Sequence, residues 1–272
     1  MWQPASITEC GAVIWLIGLS LAGLVGVSMG LLGGGGAVLA VPILVYIMGV
    51  PVKSAVAMTL VIIGTISLFG AIYHGLAGNL NVNKALKFGL AMLPGAFLGA
   101  KLATLPFMSD GLQMGLLATV MLIAAFLMIA RGYTAPLTED AILEGYPKPI
   151  CRHCGLWMMT EGLGVGVLTG LVGVGGGFAI VPALVLLGDT PIKEALPTSL
   201  FVIAISSVGG LMGYWGHVTL DWNLIAWFTA ITSLGLIAGI AWAKFFAARQ
   251  LQKLFGFFLI AIAAVIFSQA RG

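Results

Sequence analysis

Long apolar stretches alternate with short polar segments along almost the whole chain. Eight of these stretches have about the 20 residues that one helix needs to cross a bilayer. They are Gly11–Leu32, Ser54–His74, Ala85–Leu105, Gly111–Ala130, Leu156–Val174, Ala195–Trp215, Leu224–Phe246 and Leu251–Phe267. Two further stretches, Ala37–Met48 and Phe178–Leu187, are too short to span a bilayer unaided. The pattern predicts an all-α integral membrane protein.

The two halves of the chain repeat each other at a constant offset of 140 residues. The string GLLGGGGAVLAVPIL begins at Gly30, and its counterpart GLVGVGGGFAIVPAL begins at Gly170. Doubled apolar segments that glycine interrupts are typical of the binding sites of secondary transporters. We therefore predict three regions, namely a first transmembrane repeat (1–132), a polar cytoplasmic linker (133–155) and a second transmembrane repeat (156–272).

The two short stretches decide the predicted topology. If each one lengthened the helix before it, both halves would point the same way and the Lys and Arg residues would divide evenly. If the glycines instead turn the chain back, the halves are inverted. That model gathers nine of the 12 Lys and Arg residues on the side of the linker and leaves Lys53, Lys101 and Arg271 opposite. Because positive residues favour the cytoplasm, we predict inverted repeats with both termini outside. Each repeat then has one re-entrant hairpin, broken at glycine, and three further transmembrane helices.

Composition agrees with a bilayer and excludes several functions. Apolar residues make up 60% of the chain and charged residues only 8%, against about 25% charged residues in soluble domains. The net charge is +3, and no basic patch interleaved with aromatic residues suggests a nucleic-acid partner. The chain lacks the GxxxxGK[ST] phosphate loop of ATPases. We predict a carrier, not an enzyme, and no cofactor.

The glycine clusters favour an anionic substrate. A run such as Gly33–Gly36 lets the backbone break at membrane depth, which is tolerated only around a cavity or inside protein. A helix that starts after such a break offers free N–H groups and the positive end of its dipole. Two such starts, one from each half, would face a shared site at the middle of the bilayer. Alternatively, the glycines serve only tight helix packing.

Hydroxyl groups recur on the helix that follows each cluster. Thr59 corresponds to Ser199 and Ser67 to Ser207, while Thr198 adds a donor in the second half. Hydroxyls can bind an oxyanion without burying a charge, but Ser and Thr in membranes also bond their own or a neighbouring helix. Both interpretations stay open.

Other polar residues suggest secondary roles. Lys53 and Lys193 recur at helix starts, where anchoring at the bilayer interface is the favoured interpretation, and His74 and His217 are candidate proton carriers near helix ends. Cys151 and Cys154 form a CxxC pair, which allows an alternative function as a membrane redox or metal-linked protein. The favoured interpretation is that the two cysteines have no functional role, because a zinc site needs four ligands and one chain does not supply four.

The motifs together resemble the sulfite exporter TauE/SafE family of bacterial membrane transporters. The resemblance rests on the two glycine-to-VP strings, on AVAMTL and ALPTSL, on the GNLNVN and GHVTLDW turns, and on GAFLGAK near Gly95. It places Gly33, Gly35, Gly36 and Pro42, and Gly173, Gly175, Gly176, Gly177 and Pro182, at the family's signature positions. Ala37 stands where the second copy has Gly177, so the two half-sites are unequal.

The resemblance implies export of sulfite or small organosulfonates across the bacterial inner membrane. The predicted substrate-binding residues are Gly33, Gly35, Gly36, Ala37, Thr59, Ser67, Gly173, Gly175, Gly176, Gly177, Thr198, Ser199 and Ser207. The predicted partners are a small anion and the lipid bilayer. Coupling to a proton or a sodium ion, and assembly as a homodimer, stay open.

Overall fold

The computed structural model describes residues 9–76, 82–106, 108–134, 154–173 and 192–242, with single positions at 180, 260, 263, 264 and 266. Its α-helices are α1 (Glu9–Leu32), α2 (Ala40–Pro42), α3 (Val52–Leu76), α4 (Val82–Thr104), α5 (Asp110–Thr134), α6 (Cys154–Val172), α7 (Ile192–Tyr214) and α8 (Trp222–Trp242). A 3₁₀ helix (Gly33–Leu39) precedes α2 and a π-helix (Ile43–Ile47) follows it. Over these ranges the chain forms helices and no strands, as the apolar pattern predicts.

The helices are suited to a bilayer by length and by surface. Among the described residues, five helices are long and apolar enough to cross a membrane, namely α1, α3, α4, α7 and α8. Shorter apolar segments occur at Asp110–Ile123 in α5 and Met159–Val172 in α6. Large apolar side chains such as Phe69 and Phe126 stand exposed, by 57% and 71%. A surface of this kind fits lipid and not water, so the chain is a multi-pass membrane protein.

Part of the predicted organisation lies outside the described residues. This applies to nearly all of the second short stretch, Phe178–Leu187, to most of the last apolar stretch, Leu251–Phe267, and to almost the whole linker 133–155. The remaining predicted spans coincide with helices to within a few residues.

The main helix contacts join one half of the chain to the other. In the second half, α6, α7 and α8 are the counterparts of α1, α3 and α4 at the 140-residue offset. Helix α1 packs against α8, and its counterpart α6 packs against α4. The contact of α4 with α7 likewise corresponds to that of α8 with α3. Each half therefore completes the packing of the other.

Pairs of glycines in GxxxG spacing allow these contacts to be very close. The pairs are Gly26 and Gly30, Gly95 and Gly99, Gly166 and Gly170, and Gly235 and Gly239. A Cβ on Gly26 would overlap the carbonyl oxygen of Thr232. A Cβ on the counterpart Gly166 would overlap that of Met92, the counterpart of Thr232. The same backbone contact thus occurs twice, because small residues let membrane helices approach without side chains between them.

The central helices α3 and α7 cross in opposite directions. Leu60 Cδ1 lies 2.9 Å from the place of a Cβ on Gly210, and Leu200 Cδ1 lies 2.9 Å from the place of a Cβ on Gly70. Early positions of α3 thus meet late positions of α7, and the two contacts are counterparts of each other. These equivalent helices are therefore antiparallel.

The glycine packing of α6 gives a matched test. In Gly170→Ala the new methyl group would overlap the carbonyl oxygen of Ala96, whereas Gly164→Ala places it in open space on the same helix. We expect Gly170→Ala to lower stability by about 1–3 kcal/mol through overpacking. Gly164→Ala should be neutral or slightly stabilising, because alanine favours a helix over glycine by about 1 kcal/mol. Thermal unfolding midpoints in detergent measure both effects, and equal midpoints would contradict the close packing.

Candidate functional site

The backbone turns at one equivalent point in each half. Helix α1 ends at Leu32 and is followed by Gly33 with φ 68°, and α6 ends at Val172 and is followed by Gly173 with φ 74°. Both values lie in the left-handed region that glycine adopts without steric cost. The Gly173 N–H donates to the carbonyl oxygen of Thr169 at 2.8 Å and closes the last turn of α6.

After the first break, the chain runs back along α1. Gly36 lies against Ser28 and Met29, and the Met48 side chain lies 3.0 Å from the place of a Cβ on Gly18. Later residues of this returning segment therefore meet earlier residues of α1. The segment is buried at Ala37 and Val38.

The returning segment is not the simple α-helix that its apolar pattern favours. It consists of the 3₁₀ helix Gly33–Leu39, the single turn α2 and the π-helix Ile43–Ile47. Four consecutive glycines support an α-helix poorly, and Pro42 supplies no N–H to continue the ladder. π-Helical turns occur often at functional sites.

Each break contacts the half to which it does not belong. The 3₁₀ helix Gly33–Leu39 packs against α7. The second break packs against α3, since a Cβ on Gly173 would lie 3.0 Å from the Cα of Val56. Val56 is one turn before Thr59 on the same helix. The two breaks therefore flank the crossing of α3 and α7.

The predicted hydroxyl groups divide into two kinds. Thr59 and Ser67 are fully buried and Ser207 is 4% exposed, and the hydroxyl oxygen of each has no hydrogen-bond partner among the described residues. Thr198 and Ser199 are also fully buried, but both have interaction partners. At the crossing, the Ser207 Cβ lies 2.8 Å from the place of a Cβ on Gly64.

Other hydroxyls of the bundle donate to backbone carbonyls of their own helix, which is the alternative to ligand binding for Ser and Thr in membranes. Thr65 Oγ1 donates to the carbonyl oxygen of Val61 at 2.7 Å, and Thr232 Oγ1 donates to that of Phe228 at 2.7 Å. The hydroxyls of Thr59, Ser67 and Ser207, like those of Thr169 and Thr229, therefore differ from these in having no partner among the described residues.

The remaining predicted site residues are placed unevenly. Gly33, Gly35, Gly36 and Ala37 all belong to the 3₁₀ helix Gly33–Leu39. Gly175, Gly176 and Gly177 lie outside the described residues, as do Cys151 and His153. Across the residues that are described, no three His, Cys, Asp or Glu side chains form a group that could hold a metal ion.

The two candidate proton carriers lie at helix ends. His74 stacks edge-on against Tyr73 in the last turn of α3, with ring centroids 5.6 Å apart. His217 follows α7, and its Nδ1 lies 3.1 Å from the carbonyl oxygen of Trp215.

A buried amide near the second break escapes the sequence-based prediction. Gln113 on α5 is 1% exposed, and its Nε2 donates to the carbonyl oxygen of Leu171 at 2.8 Å and to the Tyr214 hydroxyl at 3.1 Å. The Leu171 carbonyl belongs to the last turn of α6, where carbonyls lack helical partners. Gln113 thus ties the end of α6, two residues before Gly173, to the end of α7.

Thr169 is a second residue that the sequence reasoning misses. It is 2% exposed, and its hydroxyl has no hydrogen-bond partner in the part of the chain that is described. Thr169 lies one turn before Gly173. The only sequence signal for it and for Gln113 is a polar residue within an otherwise apolar helix.

Apolar helices with a lipid-facing surface, together with buried hydroxyls that have no partner among the described residues, define an integral membrane protein. A family model described as sulfite exporter TauE/SafE matches residues 18–266. The chain therefore belongs to the TauE/SafE family of membrane transporters, as its motifs predict.

Relatives from distant microorganisms are similar over most of their length. A probable membrane transporter protein of Xylella fastidiosa is 31% identical over 258 residues, which cover 92% of this chain and 94% of that protein. The probable membrane transporter protein YdhB of Bacillus subtilis is 27% identical and covers 82% of this chain and 86% of its own. One from Methanocaldococcus jannaschii is 29% identical, with coverage of 74% and 73%. No solved structure matches the chain.

The Gln113 contacts lead to a stability prediction. Gln113→Leu should lower stability by about 1–3 kcal/mol, since it leaves the buried Leu171 carbonyl and Tyr214 hydroxyl without their donor. Tyr214→Phe removes one partner and should cost less, and its cost should shrink further when Gln113 is already Leu. Thr119→Val on α5 is the control, because the Thr119 hydroxyl is exposed and bonds the Gly115 carbonyl of its own helix. Thermal unfolding in detergent measures all four variants, and strictly additive losses would contradict the shared contact.

Proposed function

We propose that this chain exports sulfite or a small organosulfonate across the bacterial plasma membrane, and that the anion binds between the halves where α3 and α7 cross. The observation that carries the proposal is the set of buried, unpartnered hydroxyls of Thr59, Ser67 and Ser207. Burying a hydroxyl without a hydrogen bond costs free energy. A sulfur oxyanion offers several acceptor oxygens and would accept from the donors within its reach at the crossing. Thr59 and Ser67 are eight residues apart on α3, or about 12 Å along the helix axis, so one small anion contacts one or the other at a time.

The character of the site favours transport over tight storage. Among the described residues, every buried polar side chain is uncharged. Neutral hydroxyls in apolar surroundings can hold an anion by hydrogen bonds, and they do not trap it as a buried cation would. A carrier needs this balance because its substrate must leave as readily as it binds.

The two breaks supply the backbone part of the proposed site. Gly33 and Gly173 turn the chain at equivalent points and pack against helices of the opposite half. A movement of one half relative to the other would therefore change both flanks of the α3–α7 crossing together. We propose that this coupling gives the site alternating access to the two sides of the membrane.

Inverted repeats are the topology that we propose for this mechanism. Three contact patterns support it. The equivalent helices α3 and α7 are antiparallel at Leu60 and Leu200, and the segment after Gly33 returns along α1 to Gly18. Helices α1 and α8 run in the same direction, since Gly26 meets Thr232 and Gly30 meets Leu236. Together with the charge bias, these contacts support our proposal that both termini lie outside.

The membrane potential is sufficient to drive export. Moving one negative charge out of a cell with a negative interior releases about 2.3 kcal/mol per 100 mV. This corresponds to a concentration ratio of about 50, because 1.4 kcal/mol is a factor of ten. Export of an anion therefore requires no nucleotide.

The hydroxyl site is tested by a matched pair on α3. Thr59→Val removes an unpartnered hydroxyl, whereas Thr65→Val removes one that bonds its own helix. We expect Thr59→Val to weaken sulfite binding about 10- to 100-fold, the equivalent of one hydrogen bond to a charged group at about 1.5–3 kcal/mol. Thr65→Val should leave it unchanged. Flux of radiolabelled sulfite from proteoliposomes over a range of concentrations measures the effect, and Ser207→Ala should behave like Thr59→Val.

Stability separates a binding role from a structural one. Thr59→Val should leave the unfolding midpoint unchanged or raise it in the absence of anion, because the lost hydroxyl has no partner among the described residues. Wild-type flux in Thr59→Val and Ser207→Ala would refute the site. Absence of flux in the wild-type protein for sulfite, thiosulfate and sulfonates alike would refute the substrate class.

The cysteine pair provides a test between transport and redox chemistry. The proposed mechanism uses neither Cys151 nor Cys154. Replacing both with Ser should therefore leave sulfite flux in proteoliposomes unchanged. A loss of flux in this variant, or in the parent protein under reducing conditions, would support the alternative function in redox chemistry.

A further inference from the structure

A separate cavity of about 410 Å³ opens at one end of the bundle. It lies between the start of α3, with Lys53 and Ser54, the start of α5 at Asp110, and the turn after α7, with His217 and Thr219. Ser54 lies about three turns of α3 before Gly64 and five residues before Thr59, and none of the proposed site residues Thr59, Ser67 and Ser207 lines the cavity. The cavity therefore does not belong to the proposed hydroxyl site.

Ser54 points to a ligand in this cavity. Its side chain is only 8% exposed and lines the cavity, yet the hydroxyl has no hydrogen-bond partner among the described residues. The helical ladder of α3 begins with the Ala55 N–H, which donates to the Pro51 carbonyl at 2.8 Å. The N–H groups before Ala55 precede that ladder and form the positive end of the helix dipole.

We propose that this cavity is a second binding site for a small oxyanion. Lys53 supplies a full positive charge, Ser54 supplies a hydroxyl donor at the cavity wall, and the first turn of α3 supplies backbone N–H groups. Asp110 faces the same cavity and opposes an anion, so it keeps the affinity low and the release fast. That the site receives the transported anion at the outer face of the membrane rests on the proposed function, whereas the binding itself does not.

The repeat shows that the site is specific to the first half. The counterpart of Lys53 is Lys193, but the counterpart of Ser54 is Glu194. An acid in place of the buried donor would repel an anion at the corresponding helix start. One end of the molecule is therefore equipped for this binding and the other is not.

Charge-selective labelling of Thr219→Cys tests the proposal without transport. Thr219 is exposed and lines the cavity, and Cys10, Cys151 and Cys154 are first replaced with Ser. The rates of reaction with a sulfonate-bearing and a trimethylammonium-bearing methanethiosulfonate are compared in purified protein. Lys53→Gln should lower the anionic-to-cationic rate ratio about 16-fold, because one charge at about 5 Å in water-like surroundings changes each rate about fourfold and in opposite directions. Asp110→Asn should raise the ratio by a similar factor.

Lys101→Gln is the matched control. It removes the same charge near the end of α7, because the Lys101 backbone N lies 3.2 Å from the place of a Cβ on Gly213. Lys101 does not line the cavity, and its Nζ lies 5.0 Å from the centroid of the Phe97 ring. The labelling ratio should therefore stay within experimental error of the parent protein.

Protection by sulfate completes the test. At constant ionic strength, sulfate should slow the labelling of Thr219→Cys saturably, and Ser54→Ala or Lys53→Gln should shift the half-protecting concentration upward several-fold. A ratio that is unchanged by Lys53→Gln, or equal protection by sulfate in Ser54→Ala and Lys53→Gln, would overturn the proposal. If the protein transports no sulfite but the labelling and protection experiments give the expected results, the proposed function is overturned and the second site is not.

Discussion

Direct backbone contact between the two halves is the constraint on which the rest of this structure depends. In lipid, apolar side chains gain little by leaving their surroundings, so close packing has to hold the helices together. The glycines of α1 and α8, and their counterparts in α6 and α4, bring backbone directly against backbone at these contacts. The halves pack closely against each other, and the α3–α7 crossing and both helix breaks take their positions from these contacts.

The sequence is sufficient to predict most of the fold, because the signals are local or repeated. The length of each apolar stretch predicts a membrane span, and the 140-residue offset predicts that the helix break at Gly33 recurs at Gly173. Which helices pack against each other is not predictable from these signals. That α1 lies against α8, as well as against the returning segment of its own half, follows from surface fit. The GxxxG spacing indicates close contact but does not identify the partner helix. The mixed 3₁₀ and π geometry after Gly33 also exceeds what apolar periodicity can indicate.

The site is predictable only where the repeat preserves its chemistry. Thr59, Ser67 and Ser207 emerge from a comparison of the halves, although the comparison cannot distinguish them from Ser199, which has a partner in the structure. Gln113 and Thr169 correspond to Lys253 and Met29, so a search for matching positions passes over them. Features that differ between the halves are those that an asymmetric substrate or a one-sided cavity would require, and only tertiary structure reveals them.

Helices of each half pack against helices of the other half, and this arrangement has a consequence for the origin of the gene. A polypeptide equivalent to one half would leave its glycine faces on α1 and α4 exposed to lipid. Only a second copy of itself, inserted upside down, could cover them in the way that α8 and α6 do here. On the proposed inverted topology, a single repeat would have to pair with an antiparallel copy of itself, whereas two fused copies leave Ser54 and Glu194, or Gln113 and Lys253, free to differ.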